Sequence, residues 1–358
     1  MLESVYVHIP FCKQKCLYCD FNSFDNKKEK IEEYMAALYK ECSKYTFNRL
    51  KTIYIGGGTP SFIEPQYIER ILGILPEAEE VTIEANPCTV TAEKLEIYKK
   101  AGVNRLSIGL QSTNDNILKE IGRAHTFEEF DKAFKLAREK GFKNINVDLM
   151  FGLPNQSLID LKKSVDYLIG LSPEHISCYS LIVHENVFEN LPPDDEERRM
   201  YYYTKDALKK AGYVQYEISN FSKIGYESKH NLAYWNQKEY IGLGAGASSY
   251  ANNVRYTNET SIEKYIEGIN TNKDIRRIDE TQTEEDKIRE YMILRFRLTA
   301  GVNISEANQK FNIDILTKFM KEIKKLAREG LLYIDENRNI KLTDKGMDFA
   351  NVVWREFV

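Results

Sequence analysis

Short apolar runs alternate with amphipathic stretches over the first half of the chain. The apolar, β-branched runs predict six strands: Val5–Ile9, Thr52–Ile55, Val81–Ala85, Arg105–Gly109, Asn144–Met150 and His175–Ser180. The stretches between them have helical spacing and predict helices at Lys28–Cys42, Pro65–Leu75, Thr91–Ala101, Thr126–Lys140 and Ser157–Gly170. Strands that alternate with helices are typical of parallel strands joined by helical crossovers. The expected fold class is α/β.

Unusual residues fall where these predicted strands end. A cysteine loop follows the first strand and a triple glycine follows the second, while Glu84 ends the third, Gln111 follows the fourth and Asp148 lies in the fifth. The pattern fits a doubly wound open sheet or a barrel of the TIM type. In a barrel the loops after the strands meet at one rim. This convergence favours a partial (β/α)6 barrel.

The second half of the chain predicts a β extension and a smaller domain. Residues 1–270 are expected to form the barrel with a following extension, and the polar segment 271–285, which lacks periodicity, predicts a linker. Helices followed by a short hairpin over residues 286–358 indicate a winged-helix-like α+β domain. From residue 284 onward there are 14 Lys and Arg against 13 Asp and Glu. A domain so nearly neutral is a poor phosphate binder, so packing against the barrel is favoured over DNA binding.

The composition narrows the class of protein and its compartment. Of 358 residues, 42% are hydrophobic and 29% charged, as in ordinary globular proteins, and the formal net charge of −4 argues against nucleic acid as a partner. No leader peptide or membrane-spanning stretch is evident, so a cytoplasmic protein is expected; net charge leaves room for a transient contact with a membrane surface. The scattered Cys42, Cys88 and Cys178 do not resemble a disulfide framework, which suits a reducing compartment.

Cys12, Cys16 and Cys19 form a cluster directly after the first strand. Three thiolates can hold three irons of a [4Fe-4S] cube and leave the fourth iron open to a small molecule. A structural zinc site would normally show four Cys or His ligands, and His8, on the incoming strand, suits a loop-wrapped site poorly. Zinc and chance thiols remain alternatives, but the spacing favours an open iron-sulfur cluster.

Glycines and polar residues near the same rim could receive a polar ligand. The turn of residues 56–60, Gly-Gly-Gly-Thr-Pro, lacks the pattern of a phosphate loop, yet its glycines allow a ligand to approach the backbone. Glu84 and Asp148 could accept hydrogen bonds from amine or hydroxyl groups, and Arg123 could pair with a carboxylate. Taken singly, Glu84, Gln111, Arg123 and Asp148 are each better explained by capping or loop hydrogen bonds, and their convergence on one rim is what favours a ligand site.

Taken together, these motifs resemble a known family. The pattern CxxxCxxC, followed by GGGTP, a strand-end Glu, SxGxQS, GR and a central Asp, is similar to the coproporphyrinogen-dehydrogenase-like branch of the radical S-adenosylmethionine (SAM) superfamily. The resemblance implies a partial (β/α)6 barrel in which SAM chelates the open iron and is reductively cleaved to methionine and a 5′-deoxyadenosyl radical. It implies Cys12, Cys16 and Cys19 as cluster ligands, and as SAM contacts Tyr6, Tyr18, Gly57, Gly58, Thr59, Glu84, Gln111, Arg123 and Asp148.

Two kinds of protein in this branch compete as interpretations. One is the oxygen-independent coproporphyrinogen III dehydrogenase, which carries a fourth cysteine two residues after the third and an N-terminal extension over its substrate site. Here the third cysteine is followed by Asp20 and Phe21, and only five residues precede Tyr6. The other kind is a heme chaperone, which binds a similar cluster. These features favour the chaperone and make dehydrogenase activity unexpected, while SAM cleavage stays open.

A third feature that favours the chaperone is the run of residues 230–235, His-Asn-Leu-Ala-Tyr-Trp. It is similar to the HNxxYW heme-binding motif of these chaperones and implies a heme site of His230, Asn231, Tyr234 and Trp235. An imidazole is a good axial ligand for heme iron, and aromatic rings can contact the macrocycle. A histidine beside aromatics is by default a packed residue, and His125, His175 and His184 are weaker alternatives. The implied partners are heme and heme-accepting proteins, with respiratory hemoproteins as candidates.

Overall fold

The barrel strands and helices alternate along the first half of the chain, as the apolar pattern predicts. The computed structural model describes residues 2–182 and 187–358. Its first elements are β1 (Ser4–Ile9), α1 (Ile31–Cys42), β2 (Leu50–Gly57), α2 (Pro65–Ile74), β3 (Ala78–Ala85), α3 (Ala92–Lys100), β4 (Arg105–Gln111), α4 (Asp115–Glu120), α5 (Phe127–Glu139), β5 (Ile145–Phe151), α6 (Leu158–Leu171) and β6 (His175–Ser180).

The central sheet runs in the order β7-β8-β6-β5-β4-β3-β2-β1-β9, where the outer strands belong to the extension that follows β6. Strands β1 to β6 pair in parallel with their neighbours, β9 joins β1 in parallel, and β8 joins β6 in antiparallel orientation. The extension consists of α7 (Asp194–Lys210), β7 (Val214–Gln215), β8 (Asn220–Ser222), α8 (Lys229–Trp235), β9 (Ile241–Leu243), β10 (Ser248–Ala251), β11 (Val254–Asn258), α9 (Ile262–Asn270) and β12 (Arg276–Thr281). The α/β prediction with a parallel, barrel-type sheet is confirmed.

Alternation along the strands separates an apolar face from a polar one. In β4, Leu106, Ile108 and Leu110 are at most 1% exposed and belong to the apolar core beneath the helices. The intervening Arg105 and Ser107 point to the opposite face. TIM barrels normally fill their interior with branched aliphatic side chains. Here the inner face is polar, which leaves a cavity instead of a packed centre.

Residues 276–281 of the segment predicted as a linker form a strand. β12 pairs with β11 in antiparallel orientation, across a register shift between Arg255 and Tyr256. All six residues of β12 are exposed, so burial imposes no alternation of apolar and polar residues on the strand. The absence of such a pattern explains why the sequence indicated irregular structure.

The C-terminal region folds around its own apolar core. It consists of α10 (Glu284–Arg295), β13 (Val302–Asn303), α11 (Ile304–Phe311), α12 (Ile315–Lys318), α13 (Met320–Arg328), β14 (Leu332–Ile334), β15 (Asn339–Leu342), α14 (Asp344–Asp348) and α15 (Ala350–Arg355). The hairpin of β14 and β15 follows helices α11 to α13, and β13, which precedes α11, pairs with β15; this is the winged-helix-like arrangement that was expected. It packs on the extension: Gln237, just after α8, donates to the Lys287 carbonyl at 2.8 Å. Within the described ranges, no helix has the length and apolar character needed to cross a bilayer.

Candidate functional site

The cysteine loop is fastened at both of its ends. The Cys12 amide donates to the Phe24 carbonyl at 2.9 Å, and the Phe24 amide donates to the Pro10 carbonyl at 2.8 Å. The imidazole of His8 donates from Nε2 to the carbonyl of Asn22 at 2.8 Å, and its Nδ1 accepts from Tyr6. His8 therefore stabilises the loop from the strand below and is not a spare ligand for a metal.

Asn22 ties the far end of the loop to the extension. Its amide nitrogen donates to the carbonyls of Ala245 and Thr260, at 3.1 and 3.0 Å. A Cβ atom on Gly246, whose φ is +77°, would lie 2.5 Å from that same nitrogen. The glycine-rich segment after β9 thus brings its backbone against Asn22, and only a residue without a side chain fits there.

The three clustered thiols point toward a common cavity, and each has a polar neighbour. Thr59 Oγ1 donates to Cys12 Sγ at 3.6 Å, and Arg123 Nη1 donates to Cys16 Sγ at 3.5 Å. Cys19 Sγ lies 3.8 Å from the Ser23 hydroxyl. All six cysteines are free thiols. Burial raises the pKa of Cys12, so iron coordination would have to supply the energy that keeps its thiolate ionised.

The glycine turn needs residues without side chains, because neighbouring atoms lie close to its backbone. Gly57 has a φ of +113°, and a Cβ atom on it would lie 2.5 Å from the ring of His8. A Cβ on Gly58 would lie 3.0 Å from Cys12 Sγ and 2.9 Å from the Phe11 carbonyl oxygen. The turn is therefore a bare backbone surface beside the cysteines, as a ligand-receiving segment needs to be.

Glu84 and Asp148 supply buried carboxylates to the cavity. Glu84 accepts from the Tyr54 hydroxyl at 2.8 Å and from the Gly57 amide at 3.1 Å. Burial raises its pKa to about 7, against the effect of these two donors. Asp148 accepts from Asn146 at 2.7 Å, and burial raises its pKa as well. Both carboxylates can accept hydrogen bonds from a ligand, and a cationic ligand would favour their ionised forms.

Gln111 and Arg123 have buried atoms without partners in the structure. Gln111 ends β4 with a φ of +66°, and its side-chain oxygen accepts no hydrogen bond from any described residue. Arg123 donates to the Gly109 carbonyl at 3.0 Å, but its Nε has no acceptor in the described part of the chain. A Cβ on Gly109 would lie 2.8 Å from the guanidinium. Unpaired polar atoms at a cavity wall indicate that a polar ligand completes the site.

One cavity of about 320 Å³ collects most of the residues that the sequence singled out. This volume suits one small-molecule ligand. Its wall contains Cys12, Cys16, Tyr18, Cys19, Gly57, Gly58, Thr59, Glu84, Gln111, Arg123, Asp148 and Asn231. Tyr6, predicted as a SAM contact, is not in this wall; it stacks on Tyr54 with ring centroids 6.2 Å apart. His230, Tyr234 and Trp235 also lie outside the wall.

Sequence reasoning missed several residues of the cavity wall. These are mainly inward-facing strand residues, among them Tyr54, Arg105, Ser107, Asn146, Ser177 and Tyr179. The alternation that could have identified some of them is present in β4, where Arg105, Ser107, Gly109 and Gln111 alternate with three aliphatic residues. Read as a period of two, that strand already predicts one polar face.

His230 is buried at the start of α8, with both ring nitrogens engaged. Nδ1 lies 2.7 Å from the Thr52 hydroxyl and Nε2 lies 2.8 Å from the Tyr234 hydroxyl. The His230 side chain is 1% exposed, and its backbone amide donates to Glu80 at 3.1 Å. Burial, with a smaller effect from the charge of Arg105, lowers the pKa of His230 to about 3. The ring is therefore neutral at neutral pH, as iron ligation requires.

The remaining aromatic and histidine candidates are placed differently. Trp235 packs under the guanidinium of Arg297, 4.3 Å from its ring centroid, and so faces the C-terminal domain. His175 lies 2.6 Å from Asn146 and 2.8 Å from the Tyr216 hydroxyl, and His125 lies 3.3 Å from the Leu110 carbonyl. His184 lies outside the described residues.

The residues present fit an iron-sulfur cluster and SAM. Three free thiols without disulfide partners stand at one end of the cavity beside a side-chain-free glycine turn. Next to them are acceptors for amine and hydroxyl groups, a guanidinium for a carboxylate, and unpaired atoms on Gln111 and Arg123. This donor set matches the polar groups of an amino acid joined to a nucleoside.

Comparisons with known proteins agree with this geometry. The radical SAM superfamily matches residues 6–168, and the HemN C-terminal domain matches residues 282–349. The heme chaperone HemW of Lactococcus lactis is 38% identical over 371 residues, 99% of this chain and 97% of the relative. The HemW of Bacillus subtilis is 39% identical over 377 residues, 100% and 99% of the two chains. A solved structure of Escherichia coli HemN, a coproporphyrinogen III oxidase and radical SAM enzyme, has a TM-score of 0.88 at 23% identity, covering 99% of this chain and 90% of its own, and so shares the fold.

Proposed function

The chain belongs to the HemW heme chaperones of the radical SAM superfamily, and on that premise we propose that it binds heme and delivers it to heme-accepting proteins. The observation that carries the proposal is a neutral, buried His230 at the start of the helix that bears the heme motif. Near-full-length relatives named as heme chaperones support the same reading. Respiratory hemoproteins are the proposed acceptors.

The proposed cofactor site is the cavity wall at the cysteine loop. Cys12, Cys16 and Cys19 would hold a [4Fe-4S] cluster, which supplies one-electron reduction of SAM when both are bound. Glu84 and Asp148 would accept hydrogen bonds from the amine and hydroxyl groups of SAM. Tyr18, Gly57, Gly58, Thr59, Gln111 and Arg123 complete the proposed set of SAM contacts on this wall, and Tyr6, which lies outside the wall, is proposed from the family resemblance alone. The proposed location is the cytoplasm, because a reducing compartment keeps six free thiols reduced.

The proposed heme ligand is Nε2 of His230. If Nδ1 donates to Thr52, Nε2 keeps its lone pair and accepts from the Tyr234 hydroxyl. Iron would then replace the Tyr234 hydroxyl at Nε2, and the tyrosine ring would have to turn away. Asn231 lies on the cavity wall one residue further on. Trp235 would act by fixing the end of α8 against the C-terminal domain.

An anaerobic titration of hemin, followed by its Soret band, tests the ligand. Wild-type protein with a reconstituted cluster should bind heme saturably, and His230→Ala should weaken binding at least about tenfold, the equivalent of roughly 1.4 kcal/mol. His175→Ala is the matched control, since it removes an equally buried histidine whose two ring nitrogens are also engaged. Absence of heme binding by the wild type, or equal binding by His230→Ala, would contradict the proposal. Turnover of coproporphyrinogen III would favour the dehydrogenase instead.

A further inference from the structure

One buried cation on the cavity wall, Arg105, forms no ion pair with any described residue. Arg105 begins β4, is 2% exposed and lines the cavity. Its Nε makes no hydrogen bond, and within residues 2–182 and 187–358 no ion pair of 4.0 Å or less joins it to a carboxylate. The guanidinium is charged under all ordinary conditions. A buried charge without a close ion-pair partner is costly, so an anionic ligand beside Arg105 would stabilise the site.

The acidic residues nearest to Arg105 along the inner face are committed elsewhere. Glu84 accepts from Tyr54 and Gly57, as described above, and Asp148 accepts from Asn146. Glu80 accepts from the backbone amides of Lys229 and His230, at 3.2 and 3.1 Å. The carboxylates of the inner face therefore organise the glycine turn, β5 and α8. None of them lies within ion-pair distance of Arg105, although its charge acts at longer range and partly offsets the raised pKa of Glu84 and Asp148.

A second unpaired donor lies beside Arg105. Thr82 of β3 is opposite Arg105 in the strand register, and alternation places its side chain on the same face as Glu84. Its hydroxyl is completely buried and has no hydrogen-bond partner among residues 2–182 and 187–358. The guanidinium fork of Arg105 lies on the cavity wall and can donate to both oxygens of a carboxylate, whereas the Thr82 hydroxyl lies behind that wall.

We propose that Arg105 forms a carboxylate-binding subsite at the end of the cavity away from the cysteine loop. Arg105 stands six residues before Gln111 on β4, which is roughly 20 Å along the strand. Asn231, from the heme motif, lines the same cavity. The carboxylate could come from a heme propionate or from SAM. Its position near α8 favours the propionate, and only this choice of source rests on the proposed function.

The subsite itself is tested with acetate as the probe. Melting of the cluster-free protein is followed in sodium acetate and in sodium chloride of equal ionic strength. The subsite predicts a higher melting temperature in acetate for the wild type, retained in part by Arg105→Lys and lost in Arg105→Gln. Equal melting in the two salts for the wild type, or an acetate effect that survives in Arg105→Gln, would overturn the subsite.

Ligand pairs identify the source of the carboxylate. Hemin is compared with its dimethyl ester, and SAM with decarboxylated SAM, each bound to wild type and to Arg105→Gln. For a propionate, esterification should weaken binding about tenfold in the wild type and hardly at all in the variant. If removal of the SAM carboxylate weakens binding in the wild type but hardly at all in Arg105→Gln, the carboxylate in the subsite comes from SAM instead. If the two changes are additive for both ligands, the subsite holds neither and the proposal is overturned.

The acetate melting experiment and the ligand comparisons together distinguish failure of the subsite from failure of the proposed function. Wild-type protein that binds no heme contradicts the chaperone, whereas the acetate result still decides whether Arg105 holds a carboxylate. Comparison of hemin with its ester in wild-type protein also remains informative if Arg105→Gln does not fold. In that case equal affinities for hemin and the ester would exclude the propionate.

Discussion

Removing the Asn22 side chain should loosen the cysteine loop and leave the barrel folded. Asn22→Ala deletes two hydrogen bonds to backbone carbonyls, 3.1 Å from Ala245 and 3.0 Å from Thr260. Each such bond contributes about 0.5 to 1.5 kcal/mol net. The loop should therefore open more easily by about 1 to 3 kcal/mol, a factor of roughly 5 to 150 in the opening equilibrium.

The assay is the rate at which an iron chelator removes the reconstituted cluster under anaerobic conditions. If opening of the loop limits access, the loss should accelerate by roughly the same factor in Asn22→Ala. Asn26→Ala is the matched control, because Asn26 lies in the same loop region and is exposed. A melting temperature measured in parallel separates loop opening from global unfolding.

Two outcomes would contradict a specific role of Asn22 in holding the loop. If Asn22→Ala loses its cluster at the wild-type rate, the extension does not hold the loop in place. If the cluster is lost faster only in proportion to a lowered melting temperature, Asn22 contributes to general stability and has no specific effect on the loop. Asn22→Asp should be at least as disruptive as the alanine variant, because a carboxylate would face the same two carbonyl oxygens.

Other predictions concern the cavity wall. Glu84 has its pKa raised to about 7, so a ligand that needs the carboxylate should bind more tightly as pH rises from about 6 to 8, and Glu84→Gln should flatten that dependence in a SAM titration. The stability of the ligand-free protein should change in the opposite direction. The contribution of Glu84 to the free energy of unfolding is fully present below its unfolded-state pKa near 4.5 and is lost as the pH rises through 7. Urea unfolding at several pH values would detect this loss. Gly58→Ala should lower iron content by displacing Cys12 Sγ, whereas Gly73→Ala, with open space around it, should not. Cys12→Ala should abolish iron and sulfide incorporation with unchanged circular dichroism, and Cys88→Ala should retain both.

Much of the barrel was predictable because burial imposes a clear pattern on it. The parallel strands are covered by helices, so their apolar runs are strong, and β6 has the bounds read from the sequence. The residues at the strand ends converge because the topology requires it. The cavity accordingly brings Glu84, Gln111 and Asp148 together, although they are far apart in the chain.

The parts that were not predicted have different causes. β12 is exposed throughout, so burial leaves no periodic pattern in it, and it was read as a linker. Strand β4 does alternate between polar and aliphatic residues, but this alternation was not used, and Arg105 was read only as the start of the strand. The hydrogen bonds from the Asn22 side chain to Ala245 and Thr260 join residues more than 200 positions apart, and sequence spacing alone cannot reveal them.

The heme motif shows a different limit of sequence reasoning. A His, a Tyr and a Trp close together suggested one aromatic face for a macrocycle. On α8, however, the Tyr234 hydroxyl forms a hydrogen bond with the His230 ring, while the Trp235 ring packs against the Arg297 guanidinium. A seven-residue helix distributes neighbouring side chains around its axis, so adjacent motif residues need not share a ligand. The histidine remains the residue on which the proposal depends.

The most direct test of the proposed chaperone function is the transfer of heme to an acceptor protein. Protein carrying one equivalent of heme is mixed anaerobically with a heme-free respiratory hemoprotein, and the Soret spectra of the separated proteins are recorded over time. If the protein is a heme chaperone, heme should move to the acceptor faster than free hemin binds to it, and His230→Ala should not support this transfer. Heme that stays with the loaded protein, or transfer that is equally fast with His230→Ala, would contradict the chaperone function.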